Sequence, residues 1–377
     1  MSRSELENCR RIVVKIGSSL LDARKVENIR PLVDEVASLN QSGLESALVS
    51  SGAIHFGLEA LGESDYPDTL PQKQATAAIG QSKLMDFYQN FFTEYDLQTA
   101  QVLLTQQGIH NRETYLNASN TLNKLLEMGT VPIINENDTE ATDEIQFGDN
   151  DTLSALVTTL IDADLLVILT DVEGLYRRED DQPEELINEI DEINDSVKAW
   201  AGPPQNETAS VGGMRTKIEA AETITQAGTP MVIASGRKSG VLESILNGKR
   251  VGTYFSPRTG GDVIRGRKRW IGYHLPVKGS IHVDKGARDA LFDRGKSLLP
   301  SGVTETQGQF GRGDAVRVLN SDGEEFARGL SNYKSDDVQA LKGCHTNEIS
   351  DILGYHNYDE IIHRDNLVVF TNDNKNN

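Results

Sequence analysis

Lysines, glycines and small hydroxyl residues stand in this chain where apolar runs stop, a placement suited to handling phosphate. The first case is Val13-Val14-Lys15-Ile16-Gly17-Ser18-Ser19. A strand-like run meets a lysine and then small residues that open a turn. Ligands of open α/β sheets bind at such carboxyl ends of strands. Small residues there let backbone N–H groups approach a phosphate, and a lysine supplies a positive point charge. The plain alternative is a surface lysine before an ordinary turn. Val49-Ser50-Ser51-Gly52-Ala53 repeats the theme, with a buried run ending in hydroxyls and a glycine. Ile134-Asn135-Glu136-Asn137-Asp138 and Phe147-Gly148-Asp149-Asn150-Asp151 together carry six Asp or Asn residues. Such residues also cap helices and make turns, and capping alone would account for Asp151. Leu169-Thr170-Asp171-Val172-Glu173-Gly174 ends another run, and Val211-Gly212-Gly213-Met214-Arg215-Thr216-Lys217 opens a helical pattern. A glycine pair before a helix N-terminus suits a phosphate, although it serves equally as a hinge. Two lysines, two glycine-rich turns and an acidic cluster together are the equipment of phosphoryl transfer.

These segments need a scaffold that brings them to one edge. Short Val/Ile/Leu-rich runs at 12–14, 46–49, 99–104, 131–134, 165–169 and 230–234 do not alternate apolar with polar, as expected for strands covered on both faces. Between them, 33–39, 73–95, 119–128, 152–161 and 216–227 carry apolar residues at helical spacing. Such alternation predicts an α/β fold, a mainly parallel sheet sandwiched by helices. Beyond residue 254 the pattern changes. A Gly- and Arg-rich stretch reads as a linker, and short β-like runs at 280–283, 315–319 and 366–370 follow, with Asp322-Gly323 as a hairpin turn. The expected boundaries are a catalytic domain at 1–257, a linker at 258–275, a small mostly β domain at 276–370 and a frayed tail at 371–377. Two look-alikes are set aside. Gly295-Lys296-Ser297 lacks the first glycine of a P-loop, which would fall at Ala290, and His363-Arg364-Asp365 lacks the rest of a protein-kinase catalytic loop.

The 377 residues include 37 Lys+Arg against 57 Asp+Glu, a net charge of −20, which argues against a general nucleic-acid binder. From 275 to 377 there are 12 Lys+Arg against 16 Asp+Glu, a balance of −4. Arg265, Arg267, Lys268 and Arg269 are the one candidate RNA footprint, and a solvated linker is the simpler reading. Cys9 and Cys344 show no ligand or disulfide spacing, the N-terminus has no signal-peptide core, and no run is long enough for a membrane helix. A soluble cytoplasmic protein is expected, with no metal site of its own.

Residues 10–255 resemble the amino acid kinase family, and within it the glutamate 5-kinases. VVKIGSS, VSSGAI, INENDTEAT, FGDNDTLSAL, LTDVEGLY and GGMRTK carry the likeness in order and spacing. The tail, with IHVDKGA, LLPSGV, FGRGDAV and ILGYHNYDEIIHRDN, is similar to PUA domains, for which RNA binding is the familiar role. The resemblance implies ATP-dependent phosphorylation of the side-chain carboxylate of L-glutamate, the first step of proline biosynthesis. It implies that Lys15 and Lys217 bind ATP phosphates and stabilise the transition state while Asp151 holds the lysines. Ser51, Asp138 and Asn150 would bind glutamate. Thr170, Asp171, Gly212, Gly213, Met214, Arg215 and Thr216 would line the ATP site. Mg²⁺ on the phosphates, a homo-oligomer (dimer or tetramer) and proline as feedback inhibitor are implied as well. Val211 stands where the family usually has Thr, which removes one side-chain contact to phosphate. The alternatives are a kinase for aspartate or N-acetylglutamate, and a non-catalytic RNA-binding regulator.

Overall fold

The computed structural model describes residues 1–21, 29–109, 112–140, 150–177, 185–202, 213–257, 272 and 275–370. The chain divides into two compact units, Met1–Ile109 with Glu113–Thr259, and Gly260–Asn377 with His110–Arg112.

In the first unit the order is β1 (Arg11–Ile16), α1 (Arg30–Gln41), β2 (Glu45–Ser50), α2 (Ala53–Leu61), α3 (Leu70–Thr93), β3 (Thr99–Leu104), α4 (Gln106–Ile109) and α5 (Arg112–Glu127). It continues with β4 (Val131–Glu136), α6 (Asn150–Leu160), β5 (Leu165–Thr170), β6 (Tyr176–Arg177), β7 (Glu185–Leu186), β8 (Glu189–Ile190) and α7 (Asp195–Trp200). Then come α8 (Met214–Gln226), β9 (Met231–Ser235), α9 (Val241–Leu246) and β10 (Thr253–Phe255). Eight strands form one sheet in the order β3-β4-β2-β1-β5-β9-β10-β8. All neighbours are parallel except β9 and β10, which pair antiparallel. The expected mainly parallel sheet is therefore present.

Strand β1 lies near the middle of the sheet and is covered on both faces. Ile12, Val14 and Ile16 pack into a core with Leu32, Val33 and Val36 of α1, Leu84 and Phe87 of α3, and Val241 and Leu242 of α9. Successive strand residues point to opposite faces, so Val13 and Lys15 face the other way, the side on which α6 packs. A lysine one residue from the end of a central strand is thus forced under a helix, not into solvent.

Two glycine features shape the site edge. Gly52, between β2 and α2, has φ +102°, a conformation that lets the chain reverse at once into the helix. Helices α2 and α3 meet through Gly57 and Gly80 with no room for a methyl group. A Cβ on Gly80 would stand 1.7 Å from the Ala53 carbonyl oxygen, and one on Gly57 would stand 2.0 Å from that of Thr76. Helix α3 is held at its start by a Thr69–Gln72 capping box and Pro71 in the first turn.

The second unit carries a five-stranded sheet, β12-β11-β13-β14-β15, built from β11 (Val277–Val283), β12 (Val303–Gly308), β13 (Ala315–Leu319), β14 (Glu325–Leu330) and β15 (Leu367–Val369). Its core contains Ile281, Val283, Val316, Val318, Phe326 and Tyr333. The expected hairpin joins β13 to β14. Gly323 takes φ +79°, and Asn320 Oδ1 accepts from the N–H groups of Asp322 and Glu324. Most of the expected linker and the 371–377 tail lie outside the described residues.

The α2–α3 contact yields a test. Gly80→Ala should lower the unfolding free energy by about 1–3 kcal/mol, the usual cost of overpacking a tight contact. Urea unfolding checks it, and an unchanged midpoint would mean that the two helices separate freely.

Candidate active site

The carboxyl ends of β1, β2, β4 and β5 lie side by side, since these strands are parallel and adjacent in the sheet. Lys15 is the fifth residue of β1, Ser51 follows β2, Asp138 lies in the turn after β4, and Thr170 closes β5 with Asp171 just beyond. Asn150 and Asp151 form the first turn of α6, and Gly213 caps α8, whose first residues are Met214, Arg215, Thr216 and Lys217. Gly212, Val211, Asp149 and the basic run Arg265, Arg267, Lys268 and Arg269 lie outside the described residues.

Two groups of side chains meet here. In the first, Asp151 is fully buried between two lysines that are each only 5% exposed. Lys15 Nζ lies 2.5 Å from Asp151 Oδ1, and Lys217 Nζ lies 3.1 Å from Oδ2. The Thr216 hydroxyl donates to Asp151 Oδ2 at 2.8 Å and also lies 2.8 Å from the Gly213 carbonyl. Burial alone would raise the Asp151 carboxyl. The charges of Lys15 and Lys217 and the hydrogen bonds from Lys15 and Thr216 outweigh burial and hold it down at about 2. Two ammonium groups on one carboxylate leave a net positive charge in a nearly dry place, suited to a polyanion. Gly213 provides no side-chain cap to α8, so its first N–H groups remain available to an anion.

The second group is neutral. Asn150 Nδ2 donates to Ser51 Oγ at 2.9 Å and to Asn135 Oδ1 at 3.1 Å, and Asn135 Nδ2 donates to Gln81 Oε1 at 2.9 Å. Asn150 follows strand ends from the sheet while its neighbour Asp151 holds the lysines, so α6 joins the two groups through consecutive residues. Asp138 is half-buried, and burial raises its carboxyl to about 6.

Of the residues expected at the nucleotide side, Thr170 Oγ1 donates to Asp171 Oδ1 at 3.2 Å. Arg215 is exposed and its side chain pairs with Glu219 on the outside of α8. Asn135 and Gln81 were not singled out from the sequence. Asn135 was visible within the INEND run. Gln81 had a weaker signal, a polar residue four after buried Ala77 and three before buried Leu84, hence on the inward stripe of α3.

The fold agrees with the family match. Residues 10–235 match the amino acid kinase family, to which the chain belongs, and residues 279–353 match the PUA domain. Glutamate 5-kinase from Caldanaerobacter subterraneus subsp. tengcongensis is 47% identical over 365 residues, 95% of this chain and 97% of that one. Glutamate 5-kinase from Trichlorobacter lovleyi is 46% identical, covering 98% of this chain and 100% of its own. That from Moorella thermoacetica is also 46% identical, over 97% and 98% respectively.

The depressed Asp151 carboxyl is a statement about stability. Its folded value of about 2 lies below the ordinary 3.8, so its contribution is complete above pH 3.8 and is lost as pH falls through about 2. Asp151→Asn should remove that part of the acid-unfolding curve. At pH 7 it should cost about 3–5 kcal/mol, because two ammonium groups are left buried without their partner. Urea unfolding of both proteins at pH 7 and pH 3 measures this, and equal stabilities at pH 7 would show that the lysines are solvated.

Proposed function

We propose that the chain transfers the γ-phosphoryl group of ATP to the side-chain carboxylate of L-glutamate, giving L-glutamyl 5-phosphate, the first step of proline biosynthesis. The observation that carries this reading is the single buried carboxylate of Asp151 gripping both Lys15 and Lys217. Near full-length identity of 46–47% to proteins named glutamate 5-kinase supports the choice of substrate.

In this reading the attacking carboxylate is already ionised at neutral pH, so no base has to remove a proton. Catalysis reduces to alignment and charge neutralisation. Lys15 and Lys217 neutralise the phosphoryl oxygens from two sides, and Asp151 keeps both ammonium groups in place without touching the reaction. The N–H groups at the start of α8, with Gly212, Gly213, Met214, Arg215 and Thr216, cradle the nucleotide phosphates. Thr170 and Asp171 line the nucleotide pocket from the end of β5. Among the described residues no group of three or more His, Cys, Asp or Glu could hold a metal ion. Mg²⁺ held on the ATP phosphates would supply further charge neutralisation.

Ser51, Asp138 and Asn150 bind glutamate, with Asp138 pairing the α-ammonium. This disfavours N-acetylglutamate, which has no ammonium to offer. Proline presents the same kind of cationic nitrogen to Asp138 and is proposed to compete there as a feedback inhibitor.

An ATP-dependent assay with hydroxylamine, which traps acyl phosphates as hydroxamates, tests the reaction. Product is expected with L-glutamate and none with aspartate or N-acetylglutamate. Lys217→Ala should abolish it while the protein stays folded, and an unchanged rate would remove Lys217 from the mechanism. Protonation of Asp138 in the free protein, centred near pH 6, must be reversed before it can pair with an ammonium. KM for glutamate should therefore rise up to tenfold per pH unit below 6. Asp138→Asn should start with a higher KM and show no such rise. A parallel pH profile in the variant would assign the titration to another group.

A further inference from the structure

Beyond the residues already assigned, one backbone group fixes the polarity of a buried chain of side-chain amides. The Glu136 N–H donates to Asn135 Oδ1 at 2.9 Å. Exchanging the oxygen and nitrogen of that amide would set one N–H against another, so Asn135 Nδ2 must face Gln81, where it donates to Oε1 at 2.9 Å. Gln81 Nε2 is then turned away from Asn135, and among the described residues it is buried without a hydrogen-bond partner. Asn150 is fixed in the same way. Its Nδ2 faces three acceptors, Ser51 Oγ at 2.9 Å, Asn135 Oδ1 at 3.1 Å and the Ser50 carbonyl at 3.4 Å. Its Oδ1 is likewise buried with no partner among the described residues.

Gln81, Asn135 and Asn150 are 8%, 3% and 6% exposed. Native proteins leave few buried polar atoms unmatched, and each one asks for an explanation. Here one linked chain of amides ends in an unmatched donor at one side and an unmatched acceptor at the other. An α-amino acid offers the complement of both, a carboxylate to accept and an ammonium to donate.

We propose that Gln81 is a substrate-binding residue whose Nε2 donates to the α-carboxylate of glutamate, while Asn150 Oδ1 accepts from the α-ammonium. This rests on the reading of Ser51, Asp138 and Asn150 as the glutamate site. The assignment to the α-carboxylate follows from order along the chain. Asn150 adjoins Asp151 and the lysines, where the side-chain carboxylate must meet phosphate, whereas Gln81 is two amides further away. An ion accepting a hydrogen bond gains more than a neutral group would, so a small change in Gln81 is read directly in substrate affinity.

The test uses the full-length protein with two substrates, L-glutamate and its α-amide, and two variants. Gln81→Glu keeps an acceptor for Asn135 Nδ2 but replaces the free donor with a carboxylate oxygen. Gln81→Met removes both at similar volume and leaves Asn135 Nδ2 without its acceptor. Both variants should raise KM for glutamate by about ten- to hundredfold and leave KM for ATP unchanged. Gln81→Glu should also lower the preference for glutamate over the α-amide, because the amide nitrogen can donate to the new carboxylate. A wild-type KM and preference in Gln81→Glu, with KM raised only in Gln81→Met, would show that Gln81 merely positions Asn135 and would overturn the proposal. An unchanged KM in both variants would overturn it equally. Asp138→Asn and Asn150→Ala serve as the separate control on the site. If neither changes KM for glutamate, the site reading itself fails, whatever Gln81 does.

Discussion

Everything at the edge of the sheet depends on one carboxylate between two ammonium groups. Asp151 has one oxygen against Lys15 and the other against Lys217 and Thr216, and none of the three charged groups reaches much solvent. Two lysines so placed would repel each other and lose their hydration without it. The aspartate resolves this locally and retains one unit of positive charge for a ligand. The demand also ties the fold together, because Lys15 comes from the central strand, Asp151 from α6 and Lys217 from α8. A shift of either helix by one turn would separate them, so the packing of α6 and α8 on the sheet is a condition of the proposed chemistry.

Much of this was legible in the sequence, for a physical reason. Lys15 and Lys217 stand next to glycines and small residues, and such residues mark where a strand ends or a helix begins. Asp151 was ambiguous, since an aspartate at the start of a helix is ordinary capping chemistry. Its complete burial and its two lysine partners reveal a different part. The core strands were readable because fully covered strands give unbroken apolar runs. By contrast β6, β7 and β8 have two residues each and β10 has three, too few for any periodicity, and the antiparallel pairing of β10 with β9, reached through α9, left no signal. Gln81 was hidden for another reason. In a 24-residue helix with four glutamines, Gln81 reads as one more polar residue until its position on the inward stripe is noticed.

The overall charge of the chain and the charge of the site have opposite signs. A chain with a balance of −20 carries two buried ammonium groups on one carboxylate at its sheet edge. In the proposed reading, attraction of glutamate and ATP is a short-range affair, set within a few ångströms by Lys15, Lys217 and the start of α8, while the net negative charge of the chain opposes their approach.

The α2–α3 contact has a consequence for the energetics of recognition. Gly80, whose Cα hydrogen lies almost against the backbone of α2, immediately precedes Gln81. A free glutamine side chain loses up to about 1.5–2 kcal/mol of rotational freedom when it is ordered. Here that loss has been incurred during folding, because the backbone beneath Gln81 is clamped helix to helix and its oxygen is already held by Asn135. The entropy of arranging this part of the pocket belongs to the folding reaction and not to the encounter with the amino acid.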